Sequence, residues 1–479
     1  MSSRTRNGGS GPRGRARAAG TAARTWWSAD PVAGCAELLA ALLLVVLTFI
    51  STDQPIASDR AYPMLLVVMG VAGAACLVLA VVRGRESGRH GGTGRQGRRS
   101  LGLIALPFLA MLCWAGITIP MTTHVALTTR YGPLEHIRLP MASMVVPLVE
   151  AALTALVAVG LVALIGRDRL PGALWRIFLV LAASTLVAIG WEIATRQAFV
   201  RRAVDGMLMW RTSTQLGGQA TYHLALLLGI GAAVDAIRRR RLVGASWFVI
   251  VALGLAIGLS GSRAGLICLG LFCVLLFFWG RSAGRPAGSR RVRILGALGL
   301  AALAVIGLVV VWLRGGGLVD HDRAETWKVA WRAVSVDPST IIMGRGYATL
   351  WPWFAIESGI VPGAIHGLRR GPYGKSLAHA HNTIVQVTGE LGVVGLVLLM
   401  VCLVTVVACC LRGFRGRYAG TCMALLASCP ALLLDTYLVK NFQVSFVWWL
   451  VAAAVAVLMA RPGDDTSLEP PEADRPGRP

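Results

Sequence analysis

The sequence is short of acidic residues, of lysine and of charge in general. Only 15% of its 479 residues are charged, and Asp and Glu number 23 against 47 Lys and Arg. A soluble domain has about 25% charged residues, so this composition excludes an ordinary soluble protein. Lysine occurs only at Lys328, Lys375 and Lys440, so arginine supplies nearly all of the net charge of +24.

Cysteine is absent from the polar connections of the chain. All ten cysteines fall within apolar runs, and none lies where an oxidising compartment could pair it, so we expect no disulfides. The sequence has no Cys-x-x-Cys pair and no Cys/His spacing typical of a metal site. We therefore expect neither a bound metal nor another cofactor.

Long apolar runs, in contrast, recur along the whole chain. Hydrophobic residues make up 55% of it and the mean hydropathy is +0.65. A helical run of about 18 residues or more is long enough to cross a hydrocarbon core of ~30 Å. The sequence predicts an all-α polytopic membrane protein with about twelve transmembrane helices. They are expected at 32–52, 62–82, 101–121, 142–165, 175–195, 220–237, 242–259, 264–280, 294–313, 382–411, 419–439 and 444–460.

The arginines cluster in short connections that all fall on one side of this arrangement. These connections are 83–99, 167–169, 238–241, 281–293 and 412–417. By the positive-inside rule that side is the cytoplasm, so the arginines set topology and do not indicate a nucleic-acid partner. We expect a multi-pass protein of the cytoplasmic (plasma) membrane, in contact with membrane lipids.

Three regions follow from this topology. Residues 1–31 and 461–479 are expected to be disordered cytoplasmic tails, and residues 32–460 to form the transmembrane domain. A long extracytoplasmic loop, 314–381, joins the ninth and tenth helices. Long ordered loops are often functional, so this loop is the first place to look for a site.

Arg263 is the first candidate residue. It lies in the turn Ser260–Gly265, which joins two spans with almost no loop and faces the outer side. Its guanidinium, with the backbone N–H groups that the small residues expose, is suited to bind a phosphate. The alternative is an arginine that reaches out to lipid headgroups.

Arg323 is the second candidate, in a loop helix expected from Asp322 to Val336. It shares one helical face with Trp327 and Trp331, so we predict that the arginine lies on the apolar face and not on the solvent face. A cation there is costly without a partner. That partner is either a bound anion or a carboxylate that pins the loop helix to the membrane domain.

His381 is the third candidate, at the junction of the loop and the tenth span. A histidine in the first turn of a helix feels the positive end of the macrodipole, which favours the neutral imidazole. Such an imidazole can take a proton from a hydroxyl as a general base; the alternative is a histidine that is only solvated or hydrogen-bonded. Asn382, Gln386 and Glu390 follow at helical spacing, which predicts a polar stripe that faces the protein interior or a water-filled cavity.

Three short motifs occur in order between about residues 240 and 400. They are a Ser-Arg-x-Gly turn (262–265), an Arg-x-x-x-Trp helix leading to a proline and a Gly-x-Gly turn (323–346), and His-Asn followed by Glu-Leu-Gly-x-x-Gly (381–395). In order, spacing and predicted side they resemble the motifs of the O-antigen ligase and O-antigen polymerase family. The first half of the chain resembles that family only as a string of spans.

The resemblance implies a metal-independent, inverting glycosyltransferase of the GT-C type that acts on the outer face of the membrane. Its donor would be an undecaprenyl-diphosphate-linked glycan, and its acceptor a hydroxyl of a glycan or lipid. By motif, Arg263 and Arg323 would bind the diphosphate and His381 would activate the acceptor. The supporting residues would be Ser262, His379, Asn382, Gln386 and Glu390. His379, two residues before the motif position, either supports His381 or shares its role.

Two other functions are open from the sequence. A SEDS-type peptidoglycan polymerase is also polytopic with a large outer loop, but it would rely on an aspartate in that loop. A transporter or lipid-linked glycan flippase would need ionisable residues deep in its spans. The candidates for that role are Glu150, Glu192, Asp235 and Asp435. The arginine and histidine motifs favour the glycosyltransferase, and nothing in them separates a ligase from a polymerase.

Overall fold

A computed structural model of the chain describes most of the region between residues 30 and 460. The described residues are 30–49, 67–76, 78, 79, 82, 93–128, 141–196, 199–201, 208–210, 212, 216, 221–279, 321–351, 369–371 and 373–460. The predictions for both tails and for the span 294–313 fall outside these ranges, as does much of what was predicted for the outer segments.

Helices dominate the described residues. In the first part of the chain they are α1 (Pro31–Phe49), α2 (Val67–Cys76), α3 (Thr93–Thr128), α4 (Ala142–Ile165), α5 (Leu170–Ala194), α6 (His223–Arg238), α7 (Val243–Ser260) and α8 (Arg263–Trp279). In the second part they are α9 (His321–Val334), α10 (Pro338–Met343), α11 (Thr383–Gly413), α12 (Ala419–Ser428), α13 (Ala431–Leu434) and α14 (Phe442–Leu458).

Two short antiparallel strand pairs accompany the helices. Strand β1 (Phe199–Arg201) pairs with β2 (Leu208–Trp210), and β3 (Arg369–Gly371) pairs with β4 (Gly374–Ser376). The second pair has Arg370 opposite Lys375 and packs against α9. The long loop is therefore a folded unit in its described parts, built from a helix and a hairpin.

Six of the helices among the described residues are long and apolar enough to cross a membrane: α1, parts of α3 and α4, α5, α7 and α11. Helices α2, α8 and α14 and the α12–α13 segment are apolar but shorter. Large hydrophobic side chains such as Val187, Val251 and Val404 are exposed on the outside of the helices, as a lipid environment requires. A helical, membrane-embedded fold is confirmed, and the number of twelve spans stays a prediction.

One predicted span, 419–439, is wrong as a single helix. Helix α12 ends at Ser428, the short α13 covers Ala431–Leu434, and residues 435–441 are not helical. Pro430 lies at the break, where it has no N–H to continue the helical hydrogen bonds. Asp435 is therefore a loop residue and not a residue of a span.

Helix α14 is the centre of the bundle. Every side chain from Gln443 to Leu458 is buried, and the helix packs against α3, α4, α6 and α12. Its sequence is apolar on all sides, which is the pattern of a fully enclosed helix.

Helices α6 and α12 approach each other closely through two glycines. A Cβ at Gly231 would lie 2.7 Å from the Gly420 carbonyl oxygen, and one at Gly420 would lie 2.6 Å from the Gly231 oxygen. One turn further along α6, the buried Asp235 carboxylate accepts the backbone N–H groups of Gly420 and Thr421 at 2.7 and 2.8 Å. Asp235, a candidate residue for a transporter, thus accepts hydrogen bonds from the unpaired N–H groups at the N-terminus of α12.

Candidate functional site

The site is built around the start of α11. Asn382 is the N-cap of this helix, and its side-chain oxygen accepts the backbone N–H groups of Ile384 and Val385 at 2.9 and 3.1 Å. His381 therefore lies one residue before the cap, with a left-handed φ of 49°. The prediction that His381 belongs to the first helical turn is wrong, because the side chain of Asn382 caps the N-terminus and the helix begins at Thr383.

Asp435 brings the two histidines together. Its Oδ1 lies 3.6 Å from His379 Nε2 and 3.5 Å from His381 Nδ1. The two imidazole rings are close and tilted, with centroids 3.7 Å apart and an angle of 44° between their planes. Thr383 holds this arrangement, since its hydroxyl donates to the Asp435 carbonyl oxygen at 3.1 Å and accepts the Tyr437 N–H at 2.9 Å.

The positively charged Lys440 lies on the other side of His379. The ammonium group of Lys440, which is only 4% exposed, lies 3.0 Å from His379 Nδ1. Burial and the charge of Lys440 lower the pKa of His379 to about 3. Burial alone would favour the neutral acid at Asp435, but the two adjacent imidazoles outweigh it and hold the pKa of that carboxyl well below its usual range. The site thus combines an ionised Asp435 with a neutral His379.

Arg323 reaches the same segment from α9. Its Nη1 donates to the Leu434 carbonyl oxygen at 2.6 Å, the residue next to Asp435. Trp327, one turn further, donates its indole N–H to the Ala380 carbonyl oxygen at 2.8 Å, between the two histidines. The structure therefore brings Arg323 and His381 to two adjacent residues, Leu434 at the end of α13 and Asp435 after it.

The predicted face of this helix needs a correction. The buried side chains of α9 are Thr326, Val329, Ala330, Ala333 and Val334. Trp331 is 72% exposed and Trp327 is 38% exposed, so the tryptophans lie on the open face and Arg323 lies at its border with the buried one. The small residues form the buried face because the loop packs tightly there, around Trp351 and Ala380.

Arg263 lies on α8, a different helix from those that carry Arg323 and precede Asp435. It is exposed at the first residue of α8, after the predicted tight turn, in which Gly261 is left-handed. Ser262 accepts the Gly265 N–H at 3.2 Å and lies 3.2 Å from His223 Nδ1, so its role is to hold this turn. Helix α8 packs against α12 and α13, which lead to Asp435.

The predicted polar stripe on α11 faces the interior. Asn382, Gln386 and Glu390 are all buried. The Gln386 side-chain oxygen accepts the Ala380 N–H at 3.1 Å, and the Glu390 carboxylate faces the Gln386 amide and the backbone N–H of Ala348. These residues hold the histidine segment and the loop in place, and they do not reach His381 directly.

The glycines of the last two motifs meet where α11 is broken. Gly392 has non-helical angles (φ 64°, ψ −161°), and the freed carbonyls of Gly389 and Glu390 accept the N–H groups of Arg345 and Gly346 at 3.1 and 2.9 Å. A Cβ at Gly344 would lie 2.2 Å from the Glu390 oxygen, and one at Gly392 would lie 2.3 Å from the Ile342 oxygen. Only glycine permits this backbone-to-backbone seam.

His379, His381 and Asp435 could also hold a metal ion, since their ligand atoms lie within 4.8 Å of one another. Lys440 works against this. A protonated lysine can only donate, so it directs the proton of a neutral His379 to Nε2, the atom that would have to bind the metal. Its positive charge also repels a cation.

Sequence reasoning missed Lys440 and misjudged Asp435. The sequence suggests Asp435 only as an acidic residue of a transporter, and it assigns Lys440 no role in a site. They follow His379 at a distance of more than fifty residues, on the loop before α14, so no local motif joins them to the histidines. The available signal was two ionisable residues beside a predicted span end, which is where polar groups need partners.

No protein-family model matches the chain, and no curated protein matches its sequence.

Proposed function

We propose that the chain is a membrane glycosyltransferase that moves a glycan from a polyprenyl-diphosphate carrier to an acceptor hydroxyl. The observation that carries this proposal is the meeting of Arg323 and His381 at the adjacent residues Leu434 and Asp435. A diphosphate leaving group requires a cation nearby, and a hydroxyl nucleophile requires a base nearby.

His381 is the base in this proposal. Its Nδ1 faces the ionised Asp435, which favours a proton on that atom and leaves the Nε2 lone pair for the acceptor hydroxyl. Nε2 takes the hydroxyl proton while the hydroxyl oxygen forms a bond to the anomeric carbon. The bond from that carbon to the diphosphate oxygen breaks, and the electron pair leaves with the diphosphate.

The two arginines receive the leaving group. A guanidinium is a cation with several N–H donors, and Arg323 donates from Nη1 to the Leu434 carbonyl oxygen. Arg263 is exposed at the start of α8, and this helix packs against α12 and α13. Together they would stabilise the charge that develops as the diphosphate departs. In this proposal the donor is undecaprenyl-diphosphate-linked, the reaction occurs on the extracytoplasmic face, and the product belongs to a cell-surface polysaccharide.

The test uses the purified full-length protein in vesicles with a synthetic polyprenyl-diphosphate oligosaccharide, which serves as donor and as acceptor. We expect His381→Gln to lower the rate of glycosidic bond formation by about 10²–10⁴-fold, and Arg323→Ala to lower it by about 10²–10³-fold. His321→Gln and Arg412→Ala are the matched controls, because both residues are exposed.

Wild-type rates in both site variants would contradict the mechanism. Movement of the labelled lipid across the vesicle membrane without any new glycosidic bond would favour a flippase instead. Equal losses in the control variants would show that the site variants act through folding.

A further inference from the structure

Four side chains from two segments of the chain form one continuous row. Lys440 Nζ lies 3.0 Å from His379 Nδ1, His379 Nε2 lies 3.6 Å from Asp435 Oδ1, and that oxygen lies 3.5 Å from His381 Nδ1. Lys440 and Asp435 are buried, with 4% and 3% of their surface exposed. The row therefore begins at a buried cation and ends at the proposed base.

The hydrogens of this row can be placed from its chemistry. The ammonium of Lys440 has three donors and no lone pair, so His379 Nδ1 must be the acceptor at 3.0 Å. A neutral imidazole has a single N–H, which must then be on Nε2. That atom faces the carboxylate of Asp435, which can only accept. Both nitrogens of His379 are thus engaged, and neither can take a proton from a substrate.

His381 differs from His379 in this respect. Only its Nδ1 faces Asp435, at 3.5 Å, and its backbone is held in the left-handed region, with φ 49°. Both rings approach the same oxygen of Asp435, Oδ1, which also accepts the backbone N–H of Thr436 at 2.7 Å. We propose that His379 is a positioning residue, which bridges Lys440 to Asp435 and sets the ring of His381, so that His381 alone serves as the base.

The short distance between the two rings gives this arrangement a second consequence. The centroids of His379 and His381 are 3.7 Å apart, so two imidazolium rings would repel each other strongly. During the proposed reaction His381 gains a proton. A neutral His379 beside Lys440 allows it to do so, whereas a protonated His379 would oppose the step.

The proposal rests on the proposed function for its kinetic test, which compares two substitutions of His379. In His379→Gln, the amide oxygen can accept from Lys440 and the amide N–H can donate to Asp435, so we expect a rate within about threefold of the wild type. His379→Leu keeps the bulk but loses the hydrogen bond to Lys440 and the polar contact with Asp435, and we expect a loss of about 10²-fold in kcat through misplacement of His381. KM for the donor should change little in either variant.

A second measurement needs no turnover. The ¹⁵N shifts of the imidazole nitrogens distinguish the two neutral tautomers, and the signals are assigned by their disappearance in His379→Gln and His381→Gln. We expect the Nε2–H tautomer at His379 and the Nδ1–H tautomer at His381. In Lys440→Met, His379 should lose its single tautomer and show a mixture.

The outcomes separate the two proposals. The Nδ1–H tautomer at His379, or a folded His379→Gln protein as inactive as His381→Gln, would overturn the positioning role. Absence of glycan transfer by the unmodified protein would contradict the proposed function, while the tautomers would still decide the arrangement of the row.

Discussion

The chemistry of the site depends on a few polar contacts between residues that are far apart in the chain. Lys440 follows His379 by 61 positions, and Asp435 is joined to α11 through Thr383. Because the cation, the two imidazoles and the carboxylate share a small buried volume, the protonation of each one affects the others. A substitution of any one of these four residues is therefore expected to alter the protonation of the others.

Acidification is expected to destabilise the folded protein through His379. Burial and the charge of Lys440 lower the pKa of this histidine to about 3, against an ordinary value of 6.5. Between these values the unfolded chain binds a proton that the folded chain does not, so the free energy of unfolding falls as the pH drops from about 6.5 towards 3. Melting temperatures of the detergent-solubilised protein from pH 7.5 downwards should show this decline.

His379→Gln removes the titrating group and should melt with a shallower dependence on pH. His321→Gln, at an exposed histidine, should keep the wild-type dependence. The same slope in the His379→Gln variant as in the wild type would rule out His379 as the source.

Lys440 is also expected to keep divalent metals out of the site. In Lys440→Met, the proton of neutral His379 can be on Nδ1, which leaves Nε2 able to bind a metal. The three ligand atoms, which lie within 4.8 Å of one another, then resemble a zinc site with two histidines and a carboxylate. We expect calorimetry to show at least about tenfold tighter Zn²⁺ binding than in the wild type, because a nearby positive charge is gone. Lys375→Met is the control at an exposed lysine, and equal binding by the two variants would contradict this explanation.

At the scale of elements, α11 is better described as two helical pieces joined at Gly392. The first piece carries Asn382, Gln386 and Glu390, and its carbonyls bind the Gly344–Gly346 turn. Trp114 of α3 adds a bond to the Leu391 carbonyl at 3.1 Å. The loop and the membrane helices are thus connected at the break. This connection fixes the position of the histidine segment along the helix axis.

The two glycines of this seam are expected to be intolerant of a single methyl group. Gly344→Ala and Gly392→Ala each place a Cβ within 2.3 Å of a backbone oxygen, at φ values of 77° and 64°. We expect a loss of about 1–3 kcal/mol or more of stability, measured as a lower melting temperature. Gly254→Ala is the control, since its Cβ meets nothing within 4 Å. A melting temperature in either seam variant as high as that of the control would contradict this account.

The seam also shows what the sequence could and could not predict at this scale. The spans 142–165 and 382–411 were predicted closely because long apolar runs mark them directly. The order of the Gly-x-Gly and Glu-Leu-Gly motifs was visible as well. Their contact was not, because it depends on backbone carbonyls freed by a positive φ at Gly392, and no residue pattern specifies which carbonyls those are. The exposed tryptophans of α9 were misplaced because helical spacing gives a shared face but not its direction.

At the scale of the whole molecule, the arginine-rich connections and the site fall at opposite ends of the helices that join them. Helix α11 runs from the histidine segment to Arg412, and α6 runs from His223 to Arg238. If the arginine end is cytoplasmic, as the positive-inside rule predicts, the site faces outward. The orientation is a prediction that this arrangement makes easy to test.

Cysteine labelling in intact cells checks that orientation. In a protein depleted of its native cysteines, Lys375→Cys should react with a membrane-impermeant maleimide, whereas Arg415→Cys should react only after lysis. Both positions are exposed, so access to the reagent depends on the side of the membrane. The opposite pattern would place the histidines in the cytoplasm, away from any lipid-linked glycan on the outer leaflet.

The seam between the Gly344–Gly346 turn and the broken α11 has a consequence for anyone who would rebuild this site elsewhere. The seam is held by main-chain atoms. Copying the histidines, the arginines and Asp435 onto another helical scaffold would therefore not reproduce the site. The path of the chain through Gly392 would have to be transplanted first. The backbone path would then position the side chains of the site.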